Sequence, residues 1–438
     1  MTQCIWMIKN WFFQRYLFKK IRPSDKQRHI YISWKTGSWK SELMKQLIYS
    51  EVRSIKAKNA IVVLDPHWDM SKEIARFKEF SKPKIADRLV YVDPSLSSDA
   101  YPSINPFQFV GTDDDSINLM TQEIIKILNV LLKGTTTTSQ MNAILYPCVT
   151  TLLRIKNSSF IDLKRFMNNE ENHDLIEKWL RLPNPLHRDF FRQKFKSKSL
   201  SISKHAIEMR LQVLLNDPIF QRLITWSNSI DLESLVEQKK IIIFRLTLWE
   251  LGSDSVEAYW RFIVALMRVI ALKRARLTSS KRIPTYLFID EFHNFISPDI
   301  EKALTQLRKY KLYLVLASQY IWQCGDKYLQ KALLSVWVII AWQNERKSRK
   351  AIEEETGILS SDVENLKHWE FFIKSWLALP FKIRVPKYLL NNTRSMSYNL
   401  WKKVRKIQLS KYYFKEIITF EPNKVKDFID LSGLSPKY

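Results

Sequence analysis

Glycine is nearly missing. The chain has 7 glycines in 438 residues, where ordinary usage of about 7% would give roughly 31. Tight turns and close backbone approaches are the usual work of glycine, so few such places are available. Tryptophan is in surplus, at 15 residues. If most of these tryptophans stand at glycine positions, the deficit and the surplus have one cause. Cysteine is scarce too. Cys4, Cys148 and Cys324 lie far apart, which excludes a disulfide framework and gives no metal-ligand spacing. A reducing, cytosolic setting follows. Long apolar runs are absent: no stretch reaches the ~18 residues of a membrane span, and the best, 262–272, is broken by Arg268. The aromatic start CIWMIKNWFFQRYLF is interrupted by Lys9, Asn10 and Arg15. No small-residue cleavage site follows it, so it reads as an amphipathic or interfacial segment. Acidic residues are the fourth shortage. Asp and Glu number 44 against 70 Lys and Arg, leaving a net charge of +26. That excess points to a polyanionic partner, nucleic acid or a membrane surface, although a compositional bias towards lysine would give the same sign.

What is present is organised around residues 29–41, HIYISWKTGSWKS. A short apolar run leads into Thr36-Gly37-Ser38, then Lys40-Ser41, then a helical stretch beginning ELMKQLIY. Strand, tight loop, Lys-Ser and helix is the layout of a phosphate-binding P-loop. Its backbone N–H groups cradle phosphates, its lysine reaches the β- and γ-phosphates, and its hydroxyl binds Mg2+. The pattern G-x-x-x-x-G-K-[ST] is met except that Trp34 and Trp39 occupy both glycine positions.

Further apolar runs read as strands at 60–65 (AIVVLD), 89–93, 240–246, 285–290, 312–317, 336–341 and 370–374. Continuous apolar strands separated by helices predict a mainly parallel sheet covered on both faces. Between about 115 and 215 the pattern is helical throughout, which predicts a helical insertion, and 135–138 (TTTT) reads as a loop. A helix is expected over 256–276. The predicted divisions are a basic N-terminal segment (1–28), a first part of the α/β domain (29–110), the insertion (111–215), a second part of the α/β domain (216–385) and a basic C-terminal extension (386–438).

The run TYLFIDEFHNF ends its strand in Asp290-Glu291, the Walker B pattern. Asp290 would hold Mg2+ and Glu291 would orient and activate the attacking water. The run LYLVLASQY ends its strand in Ser318-Gln319. Ligands of open α/β sheets bind at the carboxyl ends of strands, so Gln319 is placed to sense the γ-phosphate or the water. No His/Cys cluster suggests zinc, and no Ser-His-Asp arrangement stands out.

In order, KTGSWKS, LDPHWDM, INPFQF, LTLWELG, FIDEFHNF, QLRKYKLYLVLASQY and VWVIIAWQ resemble the HerA–FtsK superfamily of P-loop ATPases. Within it the chain is most similar to the TraG/TraD-type DNA-transfer coupling proteins. The resemblance spans about residues 20–385. It implies an α/β, RecA-like P-loop NTPase fold, binding of ATP and Mg2+, a homo-hexameric ring that threads DNA, and components of type IV secretion or conjugation as partners. It assigns nucleotide contacts to Trp34, Lys35, Thr36, Gly37, Ser38, Trp39, Lys40 and Ser41, and Mg2+ to Ser41 and Asp290. Glu291, Gln319 and Arg308 are the implied catalytic residues, Arg308 as a charge stabiliser acting across a subunit boundary. Asp65, His67 and Asp69 match the family's DPHGD signature, in which His67 is either catalytic or, the favoured reading, a hydrogen-bonder that organises the loop. Lys309, Lys311, Lys402, Lys403, Arg405 and Lys406 are candidates for a positive DNA-facing surface.

In that family the positions of Trp34, Trp39, Trp68, Trp249 and Trp337 are usually glycine. WKTGSWKS reads as GKTGSGKS, DPHWD as DPHGD and TLWELG as TLGELG. The sequence thus predicts a host that decodes UGA as glycine, with the codons rendered here as tryptophan. UGG codons at 34 and 39 would refute this. Three functions stay open: an ATP-driven DNA pump or helicase (in transfer, or in repair as in HerA), a secretion or pilus-assembly ATPase acting on protein, and, for the chain as written, a non-hydrolysing structural subunit. Coupling proteins usually carry N-terminal membrane helices and none is visible, so a soluble relative or an incomplete N-terminus is expected. The expected location is the cytoplasm, including peripheral attachment at the inner face of the cell membrane.

Overall fold

Strand β1 (Ile30–Ser33), the run that leads into the P-loop sequence, lies near the middle of a nine-stranded sheet. The sheet belongs to a computed structural model that describes residues 27–34, 40–53, 58–67, 69–108, 113–131, 139–180, 185–225, 228–246, 252–295, 304, 306–324, 327–334, 336–375, 379–385 and 394–415. Residues 35–39, Trp68, Trp249 and the threonine run 135–138 lie outside the described residues.

The other strands are β2 (Ala60–Asp65), β3 (Leu89–Val92), β4 (Ala100–Tyr101), β5 (Ile241–Arg245), β6 (Thr285–Ile289), β7 (Leu312–Ser318), β8 (Val338–Ala341), β9 (Glu370–Ser375), β10 (Phe381–Arg384) and β11 (Phe414–Lys415). The large sheet has the order β10-β9-β8-β1-β7-β6-β2-β5-β3. From β8 to β3 every pairing is parallel, and β9 and β10 add antiparallel at one edge. The parallel strands are buried along their whole length. They have a covered face on both sides, which is why their sequences are unbroken apolar runs. Alternation survives in where each side chain goes. Val62 and Leu64 enter one core with Ile124, Leu145 and Phe262. Ile61 and Val63 enter the other with Leu43, Ile48 and Trp401.

Helix α1 (Lys40–Val52) follows β1, and α2 (Asp69–Ala75) follows β2. From α3 (Asp114–Leu131) to Leu232–Glu237, the described chain between β4 and β5 is helices and their connections. These helices share one continuous core with a face of the sheet. The helix expected over 256–276 is α4 (Ser253–Lys273), continued by a 3-10 turn at Arg274–Arg276. Helix α5 (Arg346–Thr356) follows β8. Helix α6 (Tyr398–Tyr412) closes the exposed edge of the sheet. There Gln408 accepts from Tyr91 N at 2.9 Å and donates to Leu89 O at 3.0 Å. A side chain thereby continues the ladder of edge strand β3 and blocks its pairing with another chain. Among the described residues no helix is long and apolar enough to cross a membrane.

Trp369 has φ +72° and is 4% exposed. A bulky residue is an outlier in this region, whereas glycine enters it freely. Gly252 and Gly357 sit at φ +74° and +69°. Position 369 therefore has the backbone of a glycine, at a tryptophan that the motifs had not singled out. His29 precedes β1, and its Nδ1 accepts from Leu314 N at 2.9 Å. Burial lowers its pKa to about 4, against the Leu304 backbone, which raises it. The unfolded chain binds this proton near pH 6.5, so between about pH 6.5 and 4 it holds more protons than the folded chain. The stability contributed by neutral His29 is complete above about pH 6.5 and is lost as pH falls towards 4, on the order of 2–3 kcal/mol. His29→Gln keeps an acceptor for Leu314 and is expected to flatten that part of the pH–stability curve. Thermal unfolding of both forms across this range measures it.

Candidate functional site

The parallel register brings the carboxyl ends of β1, β7, β6 and β2 to one edge. Ser33 is level with Ser318, and Leu64 with Ile289. Asp290 and Glu291 follow β6 directly, and Asp290 N donates to Leu64 O at 3.1 Å. Lys40, the first residue of α1, reaches across to them. Its Nζ pairs with Asp290 Oδ1, and with Glu291 Oε1 at 2.9 Å. All three side chains are buried. The Trp34 ring lies against the same ammonium, 3.9 Å from ring centroid to Nζ. Glu291 has φ +48°, a left-handed conformation in a non-glycine residue of the kind that clusters at functional sites.

Negative charge outweighs positive here. Burial pushes the Asp290 carboxyl up to about 6, against the pull of Lys40 and with the push of Asp65 and Glu291. Burial also raises Asp65, which accepts from His67 N at 3.0 Å and Ser71 N at 2.7 Å. These bonds tie the end of β2 to His67 and to the first turn of α2. Among the described residues, Glu291 Oε2 is buried without a hydrogen-bond partner. His293 Nδ1 lies 3.5 Å from it, and His67 Nε2 lies 3.8 Å from Oε1. Burial lowers the His293 pKa. One lysine facing several buried carboxylates, one of them with an orphaned oxygen, is a donor set that fits an added divalent cation. Ser41 stands beside Lys40 at the start of α1.

Gln319 follows β7 directly and is half-buried at the same edge. Arg308 is elsewhere. It is exposed in the turn Leu307–Tyr310, before the start of β7. The seven residues of β7 separate it from the site edge, about 20 Å at the usual rise of a strand. Lys309 and Lys311 lie in the same region. This chain's own site therefore does not contain Arg308. Trp337 is half-buried just before β8, with the Arg28 guanidinium 3.9 Å from its ring centroid. The nucleotide contacts expected from Lys35, Thr36, Gly37, Ser38 and Trp39 fall outside the described residues. Sequence reading did not single out His293 or the buried Asn344. FIDEFHNF contained the first, two residues from Glu291. Nothing local marked the second, which reaches the site from β8.

The family model described as the central domain of helicase HerA matches residues 20–264. The model described as the TraM recognition site of TraD and TraG matches residues 284–352. No curated protein matches the chain. Among solved structures, plasmid coupling protein TrwB in complex with a non-hydrolysable GTP analogue is similar at TM-score 0.58 and 16% identity, over 83% of this chain and 86% of that one. TrwB in complex with ADP and Mg2+ gives 0.56 and 15%, over 83% and 86%. VirB4 of Thermoanaerobacter pseudethanolicus gives 0.54 and 15%, over 82% and 89%. The fold is that of RecA-like P-loop ATPases.

Proposed function

The chain belongs to the HerA helicase central-domain family, and on that footing we propose that it is an ATP-driven motor that translocates DNA as a homo-hexamer during conjugative or type IV secretion transfer. The observation that carries this reading is the buried Lys40–Asp290–Glu291 cluster at the carboxyl ends of β1 and β6. The nucleotide complexes of TrwB support ATP and Mg2+ as ligands. The match over residues 284–352 supports a partner from the transfer machinery, and the net charge of +26 supports a polyanionic substrate.

In this reading Ser41 and Asp290 would hold Mg2+, which would supply neutralisation of phosphate charge. Lys40 turns from the two carboxylates to the β- and γ-phosphates. Glu291, released from Lys40, accepts the proton of the attacking water. Gln319 reads whether a γ-phosphate is present. Arg308 contributes to the site of a neighbouring subunit. Lys402, Lys403 and Lys406 on the exposed side of α6, with Lys309, are candidate phosphate contacts.

The test uses the full-length chain carrying glycine at positions 34, 39, 68, 249 and 337, here termed the glycine form. Its ATPase is expected to be stimulated by DNA, and its DNA affinity to fall steeply with salt. Loss should be about tenfold or more for each few phosphate contacts between 50 and 200 mM salt. ATPase that ignores DNA but responds to a protein of the transfer machinery would support the secretion reading instead.

A further inference from the structure

Asn344 lies three residues beyond β8 and is 2% exposed. Its surroundings determine its amide orientation. In that orientation Nδ2 donates to Gln319 O at 3.0 Å and to Trp34 O at 2.9 Å, and Oδ1 accepts from Ser33 Oγ. One buried amide thus joins the ends of three adjacent strands, β7, β1 and β8. The two carbonyls it holds belong to the γ-phosphate reader and to the first residue of the phosphate loop. Asn344 is itself anchored. Arg349 Nη1 on α5 donates to Asn344 O at 2.7 Å, and Arg349 also binds Ser360 and Glu364. The two bonds from Asn344 Nδ2 run to backbone carbonyls, so glycine or tryptophan at position 34 accepts equally. A buried carbonyl stripped of its donor costs about 1–3 kcal/mol, which favours one fixed spacing between the two segments.

We propose that Asn344 is a positioning residue that sets Gln319 against the entry of the phosphate loop, so that the presence of a γ-phosphate is registered. The proposal rests on the ATPase reading above and on Gln319 as the reader of the γ-phosphate. The Asn344 amide is committed to Gln319 O, Trp34 O and Ser33 Oγ, so it acts through Gln319 and residue 34.

The test compares the dissociation constants of ADP and a non-hydrolysable ATP analogue, together with kcat, in the glycine form. Three variants are made on that background: Gln319→Ala, Asn344→Leu and Ser33→Ala. Asn344→Leu keeps the volume and removes both donors. Ser33→Ala keeps Asn344 but frees its amide to rotate, and it serves where Asn344→Leu does not fold. A misplaced reader costs roughly 10- to 100-fold in kcat. Expected is a collapse of the ATP-analogue/ADP preference in Gln319→Ala and in Asn344→Leu, a smaller collapse in Ser33→Ala, and ADP affinity within a few-fold of the parent. If Gln319→Ala loses the preference while both Asn344→Leu and Ser33→Ala keep it and their kcat, the proposal is overturned. If Gln319→Ala itself keeps the preference, the assignment of Gln319 is wrong and this proposal falls with it, a pattern distinct from the first.

Discussion

Glycine at positions 34 and 39 is expected to turn a chain that scarcely binds ATP into one that binds and hydrolyses it. Position 39 immediately precedes Lys40, where a phosphate loop must bring backbone N–H groups within hydrogen-bond distance of phosphate oxygens. An indole there competes for that space, and a side chain with a Cβ resists the loop dihedrals that glycine accepts. Trp34 adds a second obstacle. Its ring rests on the Lys40 ammonium that the phosphates need, and a desolvated contact of this kind holds with about 2 kcal/mol. Hydrogen bonds to charged groups contribute about 1.5–3 kcal/mol each. Losing two of them weakens binding by roughly 100-fold or more. Fluorescence or calorimetric titration of both forms with ATP and Mg2+ measures this. Equal affinity in the two forms would mean that the tryptophans do not obstruct the loop.

The second large effect is expected from Glu291→Gln. Glutamine retains the size and an oxygen for Lys40, but it takes up a proton far less readily. General-base catalysis contributes about 10²–10⁴-fold, so kcat in the glycine form should fall by that order while ATP affinity stays within a few-fold. Lys40→Ala is the more familiar choice and a poorer one here. It would strand the buried Asp290 and Glu291 without their shared cation, a change that costs about 3–5 kcal/mol of stability, and lost activity could then mean lost folding. A parallel loss of affinity and rate in Glu291→Gln would instead mark Glu291 as a structural partner of Lys40.

Most of the sheet was legible because burial on both faces writes itself as unbroken apolar runs. β1, β2, β3, β5, β6, β7, β8 and β9 all lie in runs visible in the sequence. β10, with one buried residue in four, and the two-residue β4 and β11 were not, since so short a signal is indistinguishable from loop. The role of the tail was also hidden. Its basic composition marked it as an extension beyond the α/β domain, yet Trp401, Val404 and Gln408 place one face of α6 in the core and against β3. In the site, Asp290, Glu291 and Gln319 were legible because each ends an apolar strand. Asn344 was not, because a polar residue after β8 gains its meaning from Ser33 and Gln319, 311 and 25 positions away in the chain. Trp369 was invisible for another reason. Its φ of +72° is a property of the backbone alone, and no motif surrounds it.

Positions 34, 39 and 369 lie in three short tryptic peptides, 29–35, 36–40 and 368–374. Mass spectrometry of the protein isolated from its own host reads all three directly. Glycine in each peptide is the expected result. It would give the phosphate loop its full pattern and place at 369 the residue its backbone calls for. Tryptophan at position 39 in the isolated protein would contradict the reading of this chain as a competent P-loop motor.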